Sequence, residues 1–238
     1  MDSFYTENNF QATALNHSRE VTYPVSGIMH PVSDIPLNNK FNRVIKRAFD
    51  IILSIILIPA ILSWLIPLLA ILIKLDSRVP VFFLQRRNRN GGKLFTCIKF
   101  RTMIVNKDAD VLVARLNDER ITRFGKFLRR YHLDELPQLF NVLAGDMSII
   151  GPRPYMIKEN LYYESLLEKY SHRHIIKPGI TGLAQSFGYI GSSHDMTRVK
   201  KRFDLDITYI HKWSIGMDIK ILFRTFMMIL CITIREEP

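Results

Sequence analysis

The stretch "AFDIILSIILIPAILSWLIPLLAILI", residues 48–73, carries one charge, Asp50, and is long enough to cross the hydrocarbon of a bilayer as a helix. A helix buried in a water-soluble core rarely runs so far without polar relief, so the reading starts from a membrane-associated chain. Lys40, Arg43, Lys46 and Arg47 precede the segment, and Lys74, Arg78, Arg86, Arg87 and Arg89 follow it. Both flanks thus carry the charge that belongs on the cytoplasmic side. Pro59 and Pro67 each remove a backbone donor inside the segment, which makes a bend available. The expectation is a re-entrant helix that enters the bilayer, breaks and returns to the same face. A plain spanning helix with tolerated prolines is the alternative.

Before the segment, residues 1–40 carry Asp2, Glu7, Glu20 and Asp34 against Arg19 and Lys40, with Pro24, Pro31 and Pro36 in the second half. They begin with neither a basic start nor an apolar core, so no signal peptide is expected, only a polar, flexible arm. The basic excess lies beyond it, within a net charge of +11 from 33 Lys plus Arg against 22 Asp plus Glu. Such a surplus favours anionic lipid, nucleic acid or phosphorylated substrates. No nucleic-acid recognition motif or array of exposed aromatics is present, and the apolar segment argues against that partner. Cys97 and Cys231 suit neither a disulfide framework nor a zinc site, which points to a reduced, cytosol-facing setting.

After the segment, "VFFL" and "LFTCIKF" flank Asn90-Gly91-Gly92, the pattern of a β-hairpin. The stretch "NKDADVLVARLNDERITRFGKFLRRYH" is charged and helix-compatible, with a break expected at Gly125. In "KENLYYESLLEKYSHRH", Leu161, Leu166, Leu167 and Tyr170 suggest an amphipathic helix. "IIKPGITGLAQSFGYIGSS" is turn-rich, with Gly179, Gly182, Gly188 and Gly191, and reads as an ordered loop or irregular strands. A helical stretch around Tyr209 follows, then an apolar run from Ile219 to Ile234 interrupted by Lys220 and Arg224. With Trp213, that run suits either the membrane interface or the core. With 238 residues, the chain accommodates one main fold.

The chemistry concentrates in "RRYHLDELPQLFNVLAGDMSIIGPRPY", residues 129–155. As local structure, Asp134 is a fair helix N-cap, Pro137 fits a first turn and Gly145 a helix end. The same geometry keeps a carboxylate ionised and usable as a nucleophile or metal ligand. Arg129, Arg130, Arg153, Lys99 and Arg101 surround the pair in sequence, and arginine's planar fork matches phosphate oxygens. Carboxylates with arginines point to a metal-assisted reaction at phosphorus.

The runs "KRAFDIILS", "IKLDS", "PVFFLQRRNRNGGKLFTCIKFRTM", "FGKFLRRYHLDELPQLFNVLAGDMSIIGPRPY" and "KPGITGLAQ" resemble the bacterial sugar transferases of the monotopic phosphoglycosyl transferase family, from about Phe41 to the C-terminus. The resemblance implies transfer of a sugar 1-phosphate from a UDP-sugar to undecaprenyl phosphate, with release of UMP and initiation of a surface glycan. It implies that Asp134 is the nucleophile of a phosphosugar-enzyme intermediate and Glu135 the Mg2+ ligand. Arg129 and Arg153 become phosphate contacts, Lys99 and Arg101 lie beside the same pocket, and Lys177 and Gln185 fall near the nucleotide. Asp206 falls on a recurrent family motif and is grouped with the substrate contacts. Where the family usually has Ser-Pro at the membrane bend, this chain has Ser63-Trp64, so the bend is expected to shift toward Pro59 or Pro67. The same resemblance leads to the expectation that the chain is the minimal catalytic form. The closer similarity is to hexose-1-phosphate transferases of exopolysaccharide pathways, hence UDP-glucose or UDP-galactose as donor.

The fold expected is therefore α/β and mainly helical: an arm over residues 1–40, a re-entrant membrane helix over 41–75, and a cytosolic catalytic domain with a small β-hairpin and interfacial C-terminal helices over 76–238. It would lie in the bacterial inner membrane with its site on the cytoplasmic face. The rival reading is an inactive membrane-bound scaffold of a glycan assembly complex, and a homodimer is left open.

Overall fold

The computed structural model describes residues 35–77, 80–105, 118–190 and 195–234. Expectations for most of the arm, for residues 106–117, and for Arg78 and Gly191 lie outside them.

The apolar segment forms one helical run of 37 residues, Lys40–Asp76. It consists of α1 (Lys40–Leu57), a π-helical turn (Ile58–Leu62) and α2 (Ser63–Asp76). Asn39 caps its start by accepting the Phe41 N–H at 2.8 Å. The widened turn contains Pro59, whose ring cannot donate to the preceding turn. Side chains answer the carbonyls there: Ser63 Oγ donates to Pro59 O at 2.6 Å and Trp64 Nε1 to Ala60 O at 2.9 Å. The irregularity thus falls just before Ser63-Trp64, and no residue of the run leaves the helix.

α1 is inside out by the standards of a water-soluble helix. Lys46, Asp50 and Ser54 form its buried stripe, while Phe41, Val44, Ile52, Ile55 and Ile56 are exposed. The two charged groups of this stripe are paired, whereas Ser54 Oγ has no hydrogen-bond partner among the described residues. Lys46 lies 2.8 Å from Asp218, and Asp50 accepts from Ser148 Oγ at 2.9 Å and Ile149 N at 3.0 Å. Farther along, Leu65, Leu69 and Ile73 pack with Phe100 and Leu128, so α2 too lies along the rest of the chain.

β1 (Phe82–Asn88) and β2 (Leu94–Phe100) form the expected hairpin, with Phe82 opposite Phe100 and Asn88 opposite Leu94. α3 (Arg123–Arg130) runs straight through Gly125, so the expected break is absent. The glycine serves a close approach instead: a Cβ there would lie 2.1 Å from Thr102 O. α4 (Gln138–Ala144) ends at Gly145, with φ of 89°, as expected. Arg47 donates to the terminal carbonyls of α4, at 2.5 Å to Val142 O and 2.8 Å to Leu143 O.

A short parallel pair follows, β3 (Ser148–Ile150) with β4 (Gly179–Thr181). Gly151 and Gly179 let the two segments touch, since a Cβ on Gly151 would lie 2.6 Å from Lys177 O and one on Gly179 2.1 Å from Gly151 N. Between them, α5 (Ile157–Leu166) buries Glu159, Asn160 and Tyr163 and exposes Leu161 and Leu166. The leucine-faced amphipathic helix is therefore corrected. A tyrosine cluster of Tyr155, Tyr163 and Tyr170 fills the inner side, and Asn160 is satisfied by Asn88 at 2.8 Å.

The turn-rich stretch becomes β4 and the short α6 (Leu183–Ser186). α7 (Met196–Lys212) and α8 (Ile215–Ile234) complete the described chain. Trp213 is buried in the main core and donates to Asp218 at 3.2 Å, so it is no interfacial anchor. α8 divides its duties: Ile221 is buried, whereas Ile219, Phe223, Phe226, Met227 and Leu230 are exposed. The main core gathers Leu62, Val142, Met147, Ile150, Tyr209, Ile210 and Ile221. The outcome is a mainly helical fold with a small antiparallel hairpin, as the sequence predicts.

Candidate active site

Asp134 and Glu135 lie in a short 3-10 turn, Leu133–Glu135, between α3 and α4. His132 turns the chain into it with a left-handed φ of 56°, a conformation uncommon outside glycine that often marks functional sites. Asp134 caps no helix: Pro137 occupies the N-cap position of α4, without a side-chain cap. The helix-cap role offered for Asp134 by the sequence is thus absent.

The two buried carboxylates have opposite environments. Glu135 is clamped. Lys99 Nζ donates to its Oε1 at 2.6 Å, while Arg153 donates to Oε1 at 2.6 Å and to Oε2 at 3.0 Å. Burial works against its charge, but Arg153 and Lys99 together outweigh that and hold its carboxyl well below the usual range. Asp134 has no hydrogen-bond or ion-pair partner among the described residues. Burial, then the charge on Glu135, push its carboxyl up to about 6. One carboxylate is locked in ionised form, and the other is left with open oxygens.

The clamp is positioned from three directions. β2 carries Lys99, and Asn141 of α4 ties that strand to the turn, accepting from Ile98 N at 3.0 Å and donating to Thr96 O at 2.7 Å. Arg129, at the end of α3, is fixed by Thr102 Oγ1 at 2.7 Å, and Asp134 is the first of the carboxylates that support its charge. Arg153 follows the Gly151 contact, and its loop is braced by two buried arginines. Arg87 donates to Pro154 O at 2.5 Å, and Arg173 donates to Arg153 O at 2.9 Å.

The remaining sequence candidates lie elsewhere. Arg101 is turned to the mouth of the hairpin, donating to Pro80 O at 3.1 Å with its guanidinium over Phe83. Lys177 has Arg47, Asp50, Arg89 and Asp146 as its charged neighbours. Gln185 donates to Ile180 O at 3.0 Å, and its buried Oε1 has no hydrogen-bond partner among the described residues. Asp206 is fully engaged with Arg173 Nε at 2.8 Å. It reaches the clamp only through that arginine, as a positioning group behind Arg153. Arg173 and Arg87 escape sequence reasoning because nothing local distinguishes a bracing arginine from a surface one. The "SHRH" around Arg173 offers only a cluster of bases.

Among the described residues no group of three or more His, Cys, Asp or Glu side chains could hold a metal ion. The donor set, two adjacent carboxylates of which Asp134 has open oxygens, is of the hard-oxygen kind that suits Mg2+.

The family model described as bacterial sugar transferase matches residues 41–231. The UDP-glucose:undecaprenyl-phosphate glucose-1-phosphate transferase of Xanthomonas campestris pv. campestris is 43% identical over 223 residues, 93% of this chain and 46% of that protein. The protein of the same name in Escherichia coli (strain K12) is 44% identical, covering 82% of this chain and 42% of its own length. The chain therefore spans less than half of each of these relatives. The exopolysaccharide production protein PSS of Rhizobium leguminosarum bv. phaseoli is 42% identical, covering 76% of this chain and 93% of that protein. With a family model running from the membrane helix to the last described turns of α8, the chain belongs to the bacterial sugar transferases.

Proposed function

We propose that the chain transfers a hexose 1-phosphate from a UDP-sugar to undecaprenyl phosphate through a covalent intermediate on Asp134. The observation that carries this is the split between the two carboxylates: Asp134 has unengaged oxygens and Glu135 is held by Lys99 and Arg153. An Asp134 oxygen attacks the phosphorus that bears the sugar. The bond between that phosphorus and the bridging oxygen breaks, and UMP leaves with the oxygen. A phosphate oxygen of undecaprenyl phosphate then attacks the same phosphorus and returns Asp134 to its carboxylate. Arg129 and Arg153 would hold phosphate oxygens, and Glu135 keeps Arg153 and Lys99 aligned. Asp134 and Glu135 are the residues that would hold Mg2+, which would supply neutralisation of the diphosphate charge that otherwise repels the nucleophile.

The membrane setting rests on the inverted burial of α1 and the exposed apolar face of α8. Both suit lipid on the outside, with α1–α2 re-entering the cytoplasmic leaflet of the bacterial inner membrane. There the soluble donor and the lipid acceptor can meet. The relatives' names favour UDP-glucose as donor, although a relative from Aeromonas hydrophila is named for N-acetylgalactosamine. Exopolysaccharide initiation is the pathway proposed, following the Rhizobium relative's name.

The test is UMP release by purified protein in detergent with Mg2+, undecaprenyl phosphate and a panel of UDP-sugars. Lipid-dependent release by the native chain, absent in Asp134→Asn, supports the reading. Equal release by both proteins would remove Asp134 from the mechanism, and no release from any donor would favour a scaffold.

A further inference from the structure

A second concentration of positive charge lies away from the carboxylate pair, at the start of the membrane helix. A cavity of about 310 Å3 is bounded by Arg43, Lys46 and Arg47 of α1 together with Asn90 and Lys177. Not all of this charge is spoken for. Lys46 is neutralised by Asp218 and Asp50. Arg47 donates only to neutral carbonyls, so its charge remains. The side chains of Arg43 and Lys177 have no hydrogen bond or ion pair among the described residues. Arg47 and Lys177 also converge: a Cβ on Gly145 would lie 3.7 Å from Arg47 Nη2 and 3.7 Å from Lys177 Nζ. Burial, and then the nearby Arg47, pull the Lys177 ammonium below its ordinary range, against the opposing pull of Asp50 and Asp146.

The surroundings indicate the kind of anion. Arg43 and Arg47 also line a shallow groove that continues along α1 past Val44 and Ala48 to Ile51, on the face that leads into the apolar segment. Unneutralised cations at the head of an apolar track form the complement of an amphiphile with a phosphate head. Undecaprenyl phosphate as acceptor must bring its phosphate to Asp134, and this cavity shares no lining residue with that site. We infer that the cavity at Arg43, Arg47 and Lys177 binds the phosphate headgroup of an anionic membrane phospholipid, whose chain lies along Val44, Ala48 and Ile51. The inference rests on α1 lying in the bilayer.

The experiment compares binding of short-chain phosphatidylglycerol and phosphatidylcholine to the full chain in neutral detergent. Flotation with phosphatidylcholine vesicles is scored separately. The native chain should float and prefer phosphatidylglycerol. Lys177→Gln and the exposed Arg43→Gln should each weaken phosphatidylglycerol binding about tenfold, the loss of one charge-assisted hydrogen bond, and leave phosphatidylcholine binding unchanged. Arg224→Gln on α8 should keep the preference. Flotation without a preference, or a preference that survives both cavity variants, overturns the site and leaves the membrane reading standing. Displacement of phosphatidylglycerol by inorganic phosphate or UMP at equal concentration would assign the cavity to a soluble anion instead. Failure to float overturns the membrane reading and this site with it.

Discussion

At the residue scale, the proposed function rests on two neighbouring carboxylates being unlike. In the proposed mechanism Asp134 must be ionised to attack; with its carboxyl pushed up to about 6 by burial and by Glu135, kcat/KM should fall about tenfold per pH unit below that value and level off above about pH 7. The same shift has a stability consequence. An unfolded aspartate ionises near about 4. Between that value and about 6 the folded state holds the extra proton, so stability contributed by this group falls as pH rises through the window. Asp134→Asn removes the buried charge. It should therefore melt higher than the native protein at pH 8, with the difference shrinking toward pH 4, although turnover is gone; thermal unfolding across that pH range checks it. Arg153→Lys loses the two-pronged contact with Glu135, and kcat/KM should drop about 10–100-fold. The Asp-Glu pair and its arginines were legible because unusual residue types crowd a short stretch. What sequence could not show is which carboxylate is tied, because that depends on Lys99, which is 36 residues away.

At the scale of elements, the site is held by contacts that look unremarkable in one dimension. Asp206 on α7 fixes Arg173, and Arg173 holds the main-chain oxygen of Arg153. Asp206→Asn leaves a buried guanidinium unpaired and should cost about 3–5 kcal/mol. Because the strut ends on Arg153, folded Asp206→Asn protein should also show a lower kcat, while a merely structural pair would affect stability alone. Steady-state kinetics of that variant below its melting range separate the two. Gly151→Ala would drive a methyl group into the backbone of Lys177 and push β3 from β4, so soluble yield and melting temperature should both fall. The hairpin and the Gly145 helix end were readable from turn chemistry. The leucines of α5 misled because tyrosines and an asparagine, not leucines, fill its inner side. Gly125 misled because a glycine that breaks a helix and one that admits a neighbouring carbonyl look alike in sequence.

At the scale of the molecule, composition gave the correct frame for a reason visible in the burial pattern. The apolar run supplies an outer surface, with Trp64, Leu68, Ile71 and Leu75 exposed, and the polar residues of α1 serve as its inner face. A water-soluble chain would reverse this. Part of the basic excess gathers in two places, one about the carboxylate pair and one at the helix start. The central claim is that Asp134 becomes covalently attached to a phosphosugar. The most direct measurement is the intact mass of the purified chain after exposure to its UDP-sugar donor without lipid acceptor, followed by peptide mapping. A hexose-phosphate increment on the peptide containing Asp134, discharged by undecaprenyl phosphate and absent in Asp134→Asn, is the predicted result. An unmodified chain that nevertheless turns over fully when donor and lipid are present together would contradict it, and would mean that the lipid phosphate attacks the donor directly.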